Sequence, residues 1–395
     1  MTSHARAAGP LACVVGARPN YMKMAPLVRT FAARAELPRA VLIHTGQHYD
    51  PEMNDRLFAD LELPRPDLNL GVGSATHAAQ TAEIMRRFEP VLDEISPCCV
   101  IVVGDVNSTL ACSLVASKKR VPVVHVEAGL RSYDRGMPEE VNRVLTDQLA
   151  ERLYTTERAA AANLLREGID RDSIRFVGNV MIDSLLRHRS RAIAPAQTLA
   201  RAGCAADVAS VGGDFGVVTL HRPSNVDAPG PLREALTVLS EISSRLPLIW
   251  PLHPRAKGNI ERFGLASLVA GARVTLLPPQ GYLEMLGLLG GARLVLTDSG
   301  GIQEETTALA VPCLTMRDNT ERPVTVEQGT NTLVGRHLAR ALACVDEIMA
   351  GGAKRGRTPE LWDGRAAERI ADDLSAWLGV AAVGHNAVRT SEAEA

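Results

Sequence analysis

The sequence lacks a net charge large enough to attract a polyanion to its whole surface. It contains 43 Lys and Arg residues and 45 Asp and Glu residues among 395, so its formal net charge is -2. Proteins that bind nucleic acid or anionic membranes through a global field usually carry a clear basic excess. We therefore expect no nucleic-acid or membrane partner, and any anion must be bound at a local site.

Long apolar runs and paired cysteines are also missing. The first apolar run, 11–15, is much shorter than a signal-peptide core or a membrane span, which predicts a cytoplasmic protein. The seven cysteines show no CxxC spacing and mostly lie inside apolar runs. We expect small core residues rather than disulfides or metal ligands.

Common cofactor motifs are absent from the chain. It contains no GxGxxG, no GxxxxGK[ST] and no HExxH, and its histidines are dispersed. These absences argue against a dinucleotide cofactor, a P-loop and a zinc site. We therefore predict no metal ion and no cofactor.

Short apolar runs alternate with helical stretches in two series. The first series comprises 11–15, 41–44, 100–103, 121–126, 153–155 and 174–177. The second comprises 217–220, 248–250, 274–277, 294–296 and 311–316. Such alternation predicts an α/β protein with two doubly wound, Rossmann-like parallel sheets.

A strand-poor stretch at 186–213 separates the two series. We place the first domain at 1–187 and a second, ligand-binding domain at 188–365. An amphipathic pattern in 366–380 predicts a last helix that crosses back to the first domain, and 381–395 is a polar tail. The carboxyl ends of both sheets would then face each other across a cleft, where open α/β sheets bind ligands.

The segment LTDSGGIQEE, 296–305, predicts an anion site in the second domain. An apolar strand runs into the turn Ser299–Gly301, and we expect a helix from Ile302. A helix start beside two glycines presents unpaired N–H groups that an anion can approach closely. With Glu304 or Glu305 turned outward to ribose hydroxyls, this predicts a nucleotide diphosphate. An ordinary helix start with acids that complement its dipole is the alternative.

The first strand leads into a basic segment. Gly16 is followed by Arg18 and Lys23, and we expect Pro26 in the first turn of the next helix. Cations near a helix start oppose the helix dipole but suit a phosphate or carboxylate ligand. We therefore predict that this segment contacts a substrate.

Three acids follow strand ends in the first domain. Asp105 and Glu127 come after neighbouring strands, and Glu139 opens a predicted helix in PEEVNR. Asp105 or Glu139 taken singly could cap a helix, but the three acids together suggest acid–base chemistry. Because crowded carboxylates repel, we expect one to keep its proton near neutrality while another stays ionised.

The second domain contributes histidines and arginines at its strand ends. HRP at 221–223 and HPR at 253–255 each follow a strand, with a capping or core histidine as the alternative. Arg317 and Arg322 follow the strand at 311–316. The residues alone therefore indicate a two-domain protein that binds a nucleotide diphosphate and places carboxylates opposite a histidine.

Nine motifs give the chain a family resemblance. Between Gly16 and Gly335 the order is GARPNYMKMAPL, TGQHYD, VVGD, HVEAGLRS, MPEEVNR, LHRPSN, PLHPR, LTDSGGIQEE and MRDNTERP. This order resembles the non-hydrolysing UDP-N-acetylglucosamine 2-epimerases, which have the two-domain GT-B fold. The resemblance implies that fold, a UDP-sugar substrate and a homodimer.

The resemblance also implies roles for single residues. The family's catalytic positions correspond here to Lys23, Asp105, Glu127, Glu139 and His221. Its substrate contacts correspond to Arg18, Asn142, Arg143, His253, Ser299, Gly300, Gly301, Glu305 and Arg322. Of these, residues 299–301 and Glu305 would hold the diphosphate and ribose.

The implied reaction interconverts UDP-N-acetylglucosamine and UDP-N-acetylmannosamine. UDP leaves carbon 1 as carbon 2 loses its proton, a 2-acetamidoglucal forms, and UDP returns after protonation of the opposite face. Carbon 2 has no adjacent carbonyl, so stabilising the departing diphosphate is central. We expect the two acid–base groups to be Asp105 and Glu139, or Glu127.

Two departures from the family's sequence pattern leave the identity of the substrate and its activation undecided. The span from Glu127 to Glu139 is two residues shorter than in the best-known bacterial members and is similar to relatives that act on UDP-2,3-diacetamido-glucuronic acid. Asp50 stands where Gln or Arg is usual in members activated by a second substrate molecule, which argues against such activation. The alternatives are that diacetamido sugar, a hydrolysing 2-epimerase, a GT-B glycosyltransferase, and a nucleotide-sugar sensor without turnover.

Overall fold

The computed structural model describes residues 9–47, 51–204 and 214–380, and side chains in helix 51–60 from residue 55 onward. Within these ranges the strands form two parallel sheets. The first has the order β3-β2-β1-β4-β5-β6-β7 and the second β10-β9-β8-β11-β12-β13. The strands are β1 Leu11–Val15, β2 Ala40–His44, β3 Leu68–Asn69, β4 Cys99–Val103, β5 Val123–Val126, β6 Arg152–Thr155, β7 Ile174–Phe176, β8 Gly216–Thr219, β9 Leu248–Pro251, β10 Val274–Leu277, β11 Leu294–Thr297, β12 Cys313–Thr315 and β13 Asn331–Leu333.

Helices connect the strands and cover the sheets. They are α1 Arg18–Ala32, α2 Pro51–Asp60, α3 His77–Ile95, α4 Asn107–Lys118, α5 Pro138–Leu149, α6 Arg158–Arg166, α7 Val180–His188, α8 Pro195–Arg201, α9 Pro223–Val226, α10 Pro229–Ser243, α11 Pro254–Arg262, α12 Tyr282–Gly291, α13 Gly300–Leu309, α14 Pro323–Glu327, α15 Leu338–Met349 and α16 Ala366–Leu378. None of the helices in the described ranges is long and apolar enough to span a membrane. All seven cysteines are free, and five of them are buried.

The sheet pattern confirms the predicted fold class of two doubly wound, Rossmann-like sheets. Every apolar run in the two predicted series contains a strand. Two strands, β3 and β13, were not predicted; they lie at the edges of the two sheets and are only two and three residues long. Such short edge strands do not produce an apolar run that a sequence pattern can reveal.

The last helix packs on the first sheet's side of the molecule. Ile370 and Leu374 of α16 are buried in the same apolar cluster as Leu11 of β1. The carboxylate of Asp183, on α7, accepts hydrogen bonds from Ala366 N at 3.1 Å and Ala367 N at 2.7 Å. Although these bonds favour the ionised form, burial raises the pKa of Asp183 to about 6. The domain limits at 187 and 365 remain a prediction.

The expected position of Pro26 was wrong. Helix α1 begins at Arg18, so Pro26 lies in its interior. A proline inside a helix cannot donate to the carbonyl four residues earlier. Here the hydroxyl of Ser184, on α7, donates to that carbonyl, Met22 O, at 2.5 Å. The hydrogen bond from this distant serine therefore makes a proline inside the helix tolerable.

We expect Ser184→Ala to destabilise the protein by about 1 kcal/mol, because a partly buried carbonyl would lose its hydrogen bond. Ser113→Ala is the matched control, since the buried hydroxyl of Ser113 donates to Thr109 O at 2.7 Å within α4. That carbonyl keeps its ordinary helical N–H partner. Urea unfolding would measure both variants, and equal losses would contradict this account of Pro26.

Candidate functional site

Asp105 lies at the carboxyl edge of the first sheet, just beyond β4. Its carboxylate pairs with Arg143, which is 2% exposed and also pairs with Glu140. Asn142 Nδ2 donates to the Asp105 carbonyl at 3.0 Å. Both Asn142 and Arg143 lie on α5, so this helix fixes the backbone and the side chain of Asp105.

A chain of buried charges crosses the cleft. Lys23 Nζ lies 2.6 Å from Glu127 Oε1, and Arg322 Nη2 lies 3.1 Å from the same oxygen. Lys23 and Glu127 belong to the first sheet's side, whereas Arg322 precedes α14 on the second. The structure therefore brings these three predicted site residues together.

Backbone conformation explains how Lys23 and Glu127 reach each other. Glu127 has φ +71°, a left-handed conformation that costs a non-glycine residue roughly 1–2 kcal/mol. Gly104 has φ +66°, and a Cβ there would lie 2.8 Å from Lys23 Nζ. Position 104 therefore needs a glycine, and the backbone is strained at Glu127. Both residues lie in the turns that position the charged groups.

Helix α13 begins at Gly300, two residues earlier than expected, with Ser299 at its N-cap. The Ser299 side chain makes no capping hydrogen bond, so it leaves first-turn N–H groups for another acceptor. A Cβ at Gly300 would collide with Glu321 Oε1 and lie 2.5 Å from Arg322 Nη1. The absence of a side chain there places a guanidinium beside the helix start.

We expected Glu304 or Glu305 to turn outward, but neither side chain does so. Their exposed fractions are 1% and 4%. Glu304 Oε1 accepts from Asn179 Nδ2 at 2.9 Å and lies 3.0 Å from Arg322 Nε. Burial raises the pKa of Glu304, and burial together with the charge of Glu304 raises that of Glu305 to about 8. Both acids are therefore buried on α13 and do not face solvent.

The expected mutual repulsion of the strand-end acids does not keep Asp105 protonated. Burial raises its pKa, but Arg143 and then Lys23 outweigh that effect and lower it to about 2. Glu127 and Glu139 also have cationic partners, and Glu139 Oε1 lies 3.2 Å from Arg222 Nη1. Each of the three acids therefore lies against a cation, and that one of them keeps its proton near neutrality stays a prediction for Glu127 and Glu139.

The two predicted histidines have different environments. His221 Nδ1 lies 3.1 Å from Oδ1 of Asp298, a fully buried carboxylate that also accepts from the His221 and Arg222 backbone N–H groups. His253 caps α11 by accepting from Arg255 N at 3.2 Å. Burial and then His221 lower the pKa of His253 to about 4, so its ring is neutral near pH 7. The capping alternative therefore applies to His253.

Several residues of the site were missed. Asp298 and Glu321 lie inside two of the quoted motifs, so their positions next to Ser299 and Arg322 were available as a signal. Glu157 and Asn179 had no such signal, because they lie outside the motifs. The TGQHYD positions 48–50, including Asp50, fall outside the described residues. Within the described ranges, no group of three or more His, Cys, Asp or Glu side chains is arranged to hold a metal ion.

Glu157, beyond β6, makes stability depend on pH. Burial and the charge of Glu304 raise its pKa from 4.5 to about 8. Between these values the folded chain holds a proton that the unfolded chain has lost. Its unfolding free energy therefore falls as pH rises, by up to about 1.4 kcal/mol per pH unit.

We expect Glu157→Gln to flatten this decline, because glutamine cannot ionise. Urea unfolding at a series of pH values measures the slope. Glu261→Gln, at an exposed position of α11, is the control and should follow the wild type. A Glu157→Gln profile parallel to that of the wild type would show that Glu157 is not the group responsible.

Comparisons with known proteins place this chain in a family. The profile described as UDP-N-acetylglucosamine 2-epimerase matches residues 32–375. The UDP-N-acetylglucosamine 2-epimerase of Methanocaldococcus jannaschii is 42% identical over 364 residues, which cover 91% of this chain and 97% of that protein. The UDP-2,3-diacetamido-2,3-dideoxy-D-glucuronate 2-epimerase of Pseudomonas aeruginosa is 39% identical over 366 residues, 92% of this chain and 98% of that one.

Solved structures agree with this grouping. The crystal structure of the M. jannaschii enzyme in complex with UDP-GlcNAc and UDP is similar, with a TM-score of 0.84 at 40% identity. The match covers 93% of this chain and 99% of the M. jannaschii chain. Another structure of the same M. jannaschii enzyme has a TM-score of 0.73. By sequence and by fold, the chain belongs to the UDP-N-acetylglucosamine 2-epimerase family of isomerases.

Proposed function

We propose that the protein epimerises carbon 2 of a UDP-N-acetylhexosamine without hydrolysis, and that it interconverts UDP-N-acetylglucosamine and UDP-N-acetylmannosamine. UDP would leave carbon 1 while carbon 2 loses its proton, and would return after a proton reaches the opposite face. The name of the M. jannaschii relative, and its complex with UDP-GlcNAc and UDP, support this substrate class.

The position of Arg322 carries the proposal. Its guanidinium lies beside the start of α13 and also contacts Glu127 of the first sheet. A diphosphate bound at residues 299–301 would accept hydrogen bonds from first-turn N–H groups and from Arg322. Stabilisation of the leaving group and acid–base chemistry would then use one connected network.

Asp105 is the preferred proton acceptor. Its pKa of about 2 keeps it ionised, and Arg322 contributes to that low value. A diphosphate bound to Arg322 would offset this positive charge and raise the basicity of Asp105 towards the range useful for proton transfer. Glu139, whose side chain is 33% exposed, would then serve the other face of the sugar.

We also propose that the two sheets close over a bound UDP-sugar. This structure is similar to that of the M. jannaschii complex with UDP-GlcNAc and UDP, with a TM-score of 0.84. Contacts between the two sheets support this view. Besides Glu127 with Arg322 and Glu139 with Arg222, Arg18 Nη2 lies 3.5 Å from the Gln280 carbonyl.

The central test is incubation with UDP-N-acetylglucosamine in heavy water, followed by NMR. We expect deuterium at carbon 2 and accumulation of UDP-N-acetylmannosamine. Asp105→Asn and Glu139→Gln should bind UDP like the wild type but lose turnover by roughly 100-fold or more, because general acid–base groups contribute that much. Near-native turnover in either variant would refute its role.

Other products would indicate the alternative functions. Free N-acetylmannosamine with UDP would indicate a hydrolysing epimerase, and transfer of the sugar to an added acceptor would indicate a glycosyltransferase. Binding without deuterium exchange for any UDP-sugar would indicate a sensor. Each of these outcomes contradicts the proposed function.

Gly300→Ala should weaken UDP binding by roughly 10-fold or more, because a methyl group would displace Arg322 and cost one charged hydrogen bond. Gly290→Ala is the matched control, at an exposed helical position of α12 away from this turn. A Cβ at 290 would meet no atom within 4 Å. Calorimetry with UDP compares them, and equal affinities would exclude this role of Gly300.

A modified sugar is the second candidate substrate. The P. aeruginosa diacetamido-glucuronate 2-epimerase is 39% identical to this chain, and the match covers 92% of this chain. A panel containing both sugars, assayed by exchange at carbon 2, distinguishes the candidates. From the family resemblance we further propose a cytoplasmic homodimer.

A further inference from the structure

A buried histidine and a buried aspartate connect the strand ends that carry Asp105 and Glu127. His125 lies in β5, and Asp147 lies on α5. Both side chains are 0% exposed, and Nδ1 of His125 lies 2.7 Å from Oδ1 of Asp147. Neither residue has a role in the chemistry proposed above.

His125 holds the turn that precedes Asp105. Its Nε2 lies 2.8 Å from the carbonyl of Gly104, and because a carbonyl can only accept, Nε2 donates. The Gly104 N–H donates to the Val126 carbonyl at 3.0 Å. Strand β5 therefore binds both polar backbone groups of the glycine next to Asp105.

Asp147 holds the turn that follows Glu127. Its Oδ2 accepts from the Gly129 N–H at 3.1 Å and lies 2.7 Å from Arg131 Nη1. These two donors hold one oxygen of the Asp147 carboxylate, and its other oxygen lies against His125 Nδ1. Three hydrogen bonds in series, Gly104 to His125, His125 to Asp147 and Asp147 to Gly129, thus connect the turns after β4 and β5.

The same pair is attached to the third acid. Helix α5 carries Glu139 in its first turn and Asp147 near its end. Between them, Arg143 pairs with the Asp105 carboxylate. The elements that present the three acids therefore meet at one buried pair.

We propose that His125 and Asp147 are positioning residues that fix the relative placement of Asp105, Glu127 and Glu139. This inference rests on the proposed epimerisation. Proton transfer requires the acid and base to lie within hydrogen-bonding reach of carbon 2, and a misplacement of about 1 Å can cost roughly 100-fold in rate. An apolar side chain at 125 would leave the Gly104 carbonyl and the Asp147 carboxylate without their shared partner.

The test compares variants that break the pair with one that preserves its geometry. His125→Leu and Asp147→Leu should lower kcat by roughly 10- to 100-fold, as for other residues that orient catalytic groups. KM and UDP affinity should change less than about 3-fold, because the diphosphate site lies on the other sheet. Asp147→Asn should stay within about 5-fold of the wild type, because its amide can still accept from Gly129 and donate to a neutral His125 ring.

Glu167→Gln is the matched control. Glu167 pairs with Arg131 on the side away from the His125–Asp147 pair, with its Oε2 2.6 Å from Arg131 Nη2. This variant alters the same network but leaves His125 and Asp147 in contact. It should retain wild-type kcat, and a loss equal to that of the Leu variants would overturn the inference.

Amide hydrogen exchange gives a readout that does not depend on turnover. Segments 104–107 and 127–130 should exchange faster in the Leu variants but not in Asp147→Asn or Glu167→Gln. Folded Leu variants with native exchange and native kcat would overturn the inference. If the Leu variants do not fold, His125→Gln replaces them, because its amide keeps a donor for the Gly104 carbonyl. This variant must show the same faster amide exchange and lower kcat to a smaller degree, and native values of both would overturn the inference.

The proposed function can fail separately from this inference. If the wild type exchanges no carbon-2 proton with any UDP-sugar, the proposed function is wrong. The amide exchange of segments 104–107 and 127–130 still decides whether the pair positions these turns.

Discussion

The burial of Arg322 is the constraint on which the cleft depends. A guanidinium away from water is stable only when several acceptors surround it, and here Glu304 and Glu321 of its own half and Glu127 of the other provide them. The acids are therefore organised by the cation before any ligand binds. Gly300 follows from the same constraint, since no side chain fits between the helix start and the guanidinium. An incoming diphosphate would meet a site whose positive charge is already in place, so little reorganisation would accompany departure of the leaving group.

The fold could be predicted largely because parallel strands covered on both faces leave continuous apolar runs in the sequence. The short edge strands β3 and β13 left no such apolar run. Pro26 was misplaced for a different reason: proline is common in a first helical turn, whereas an interior proline needs an outside donor for the carbonyl it leaves unpaired. That donor, Ser184, is 162 residues away along the chain. Local patterns do not reveal such a contact.

Individual site residues were predictable from their places after strands, but their charge states were not. Asp105 and Glu127 were treated as neighbours that repel, yet Arg143 and Lys23 lie against them. Those cations come from different helices, so only the folded structure shows which acid each one contacts. The buried acids with raised pKa values include Glu157, outside every motif, where burial dominates the shift. Sequence position indicated which residues gather at the candidate site, and three-dimensional neighbours determine the direction in which their pKa values shift.

The docking of α16 has a consequence for biosynthesis. Its apolar residues complete the cluster that also contains the first strand, β1. Because a ribosome releases residues in order from the amino terminus, that cluster stays incomplete until residues 366–378 have emerged. The amino-terminal half must therefore wait as a nascent intermediate with exposed apolar surface, a state that is prone to aggregation and that chaperones protect.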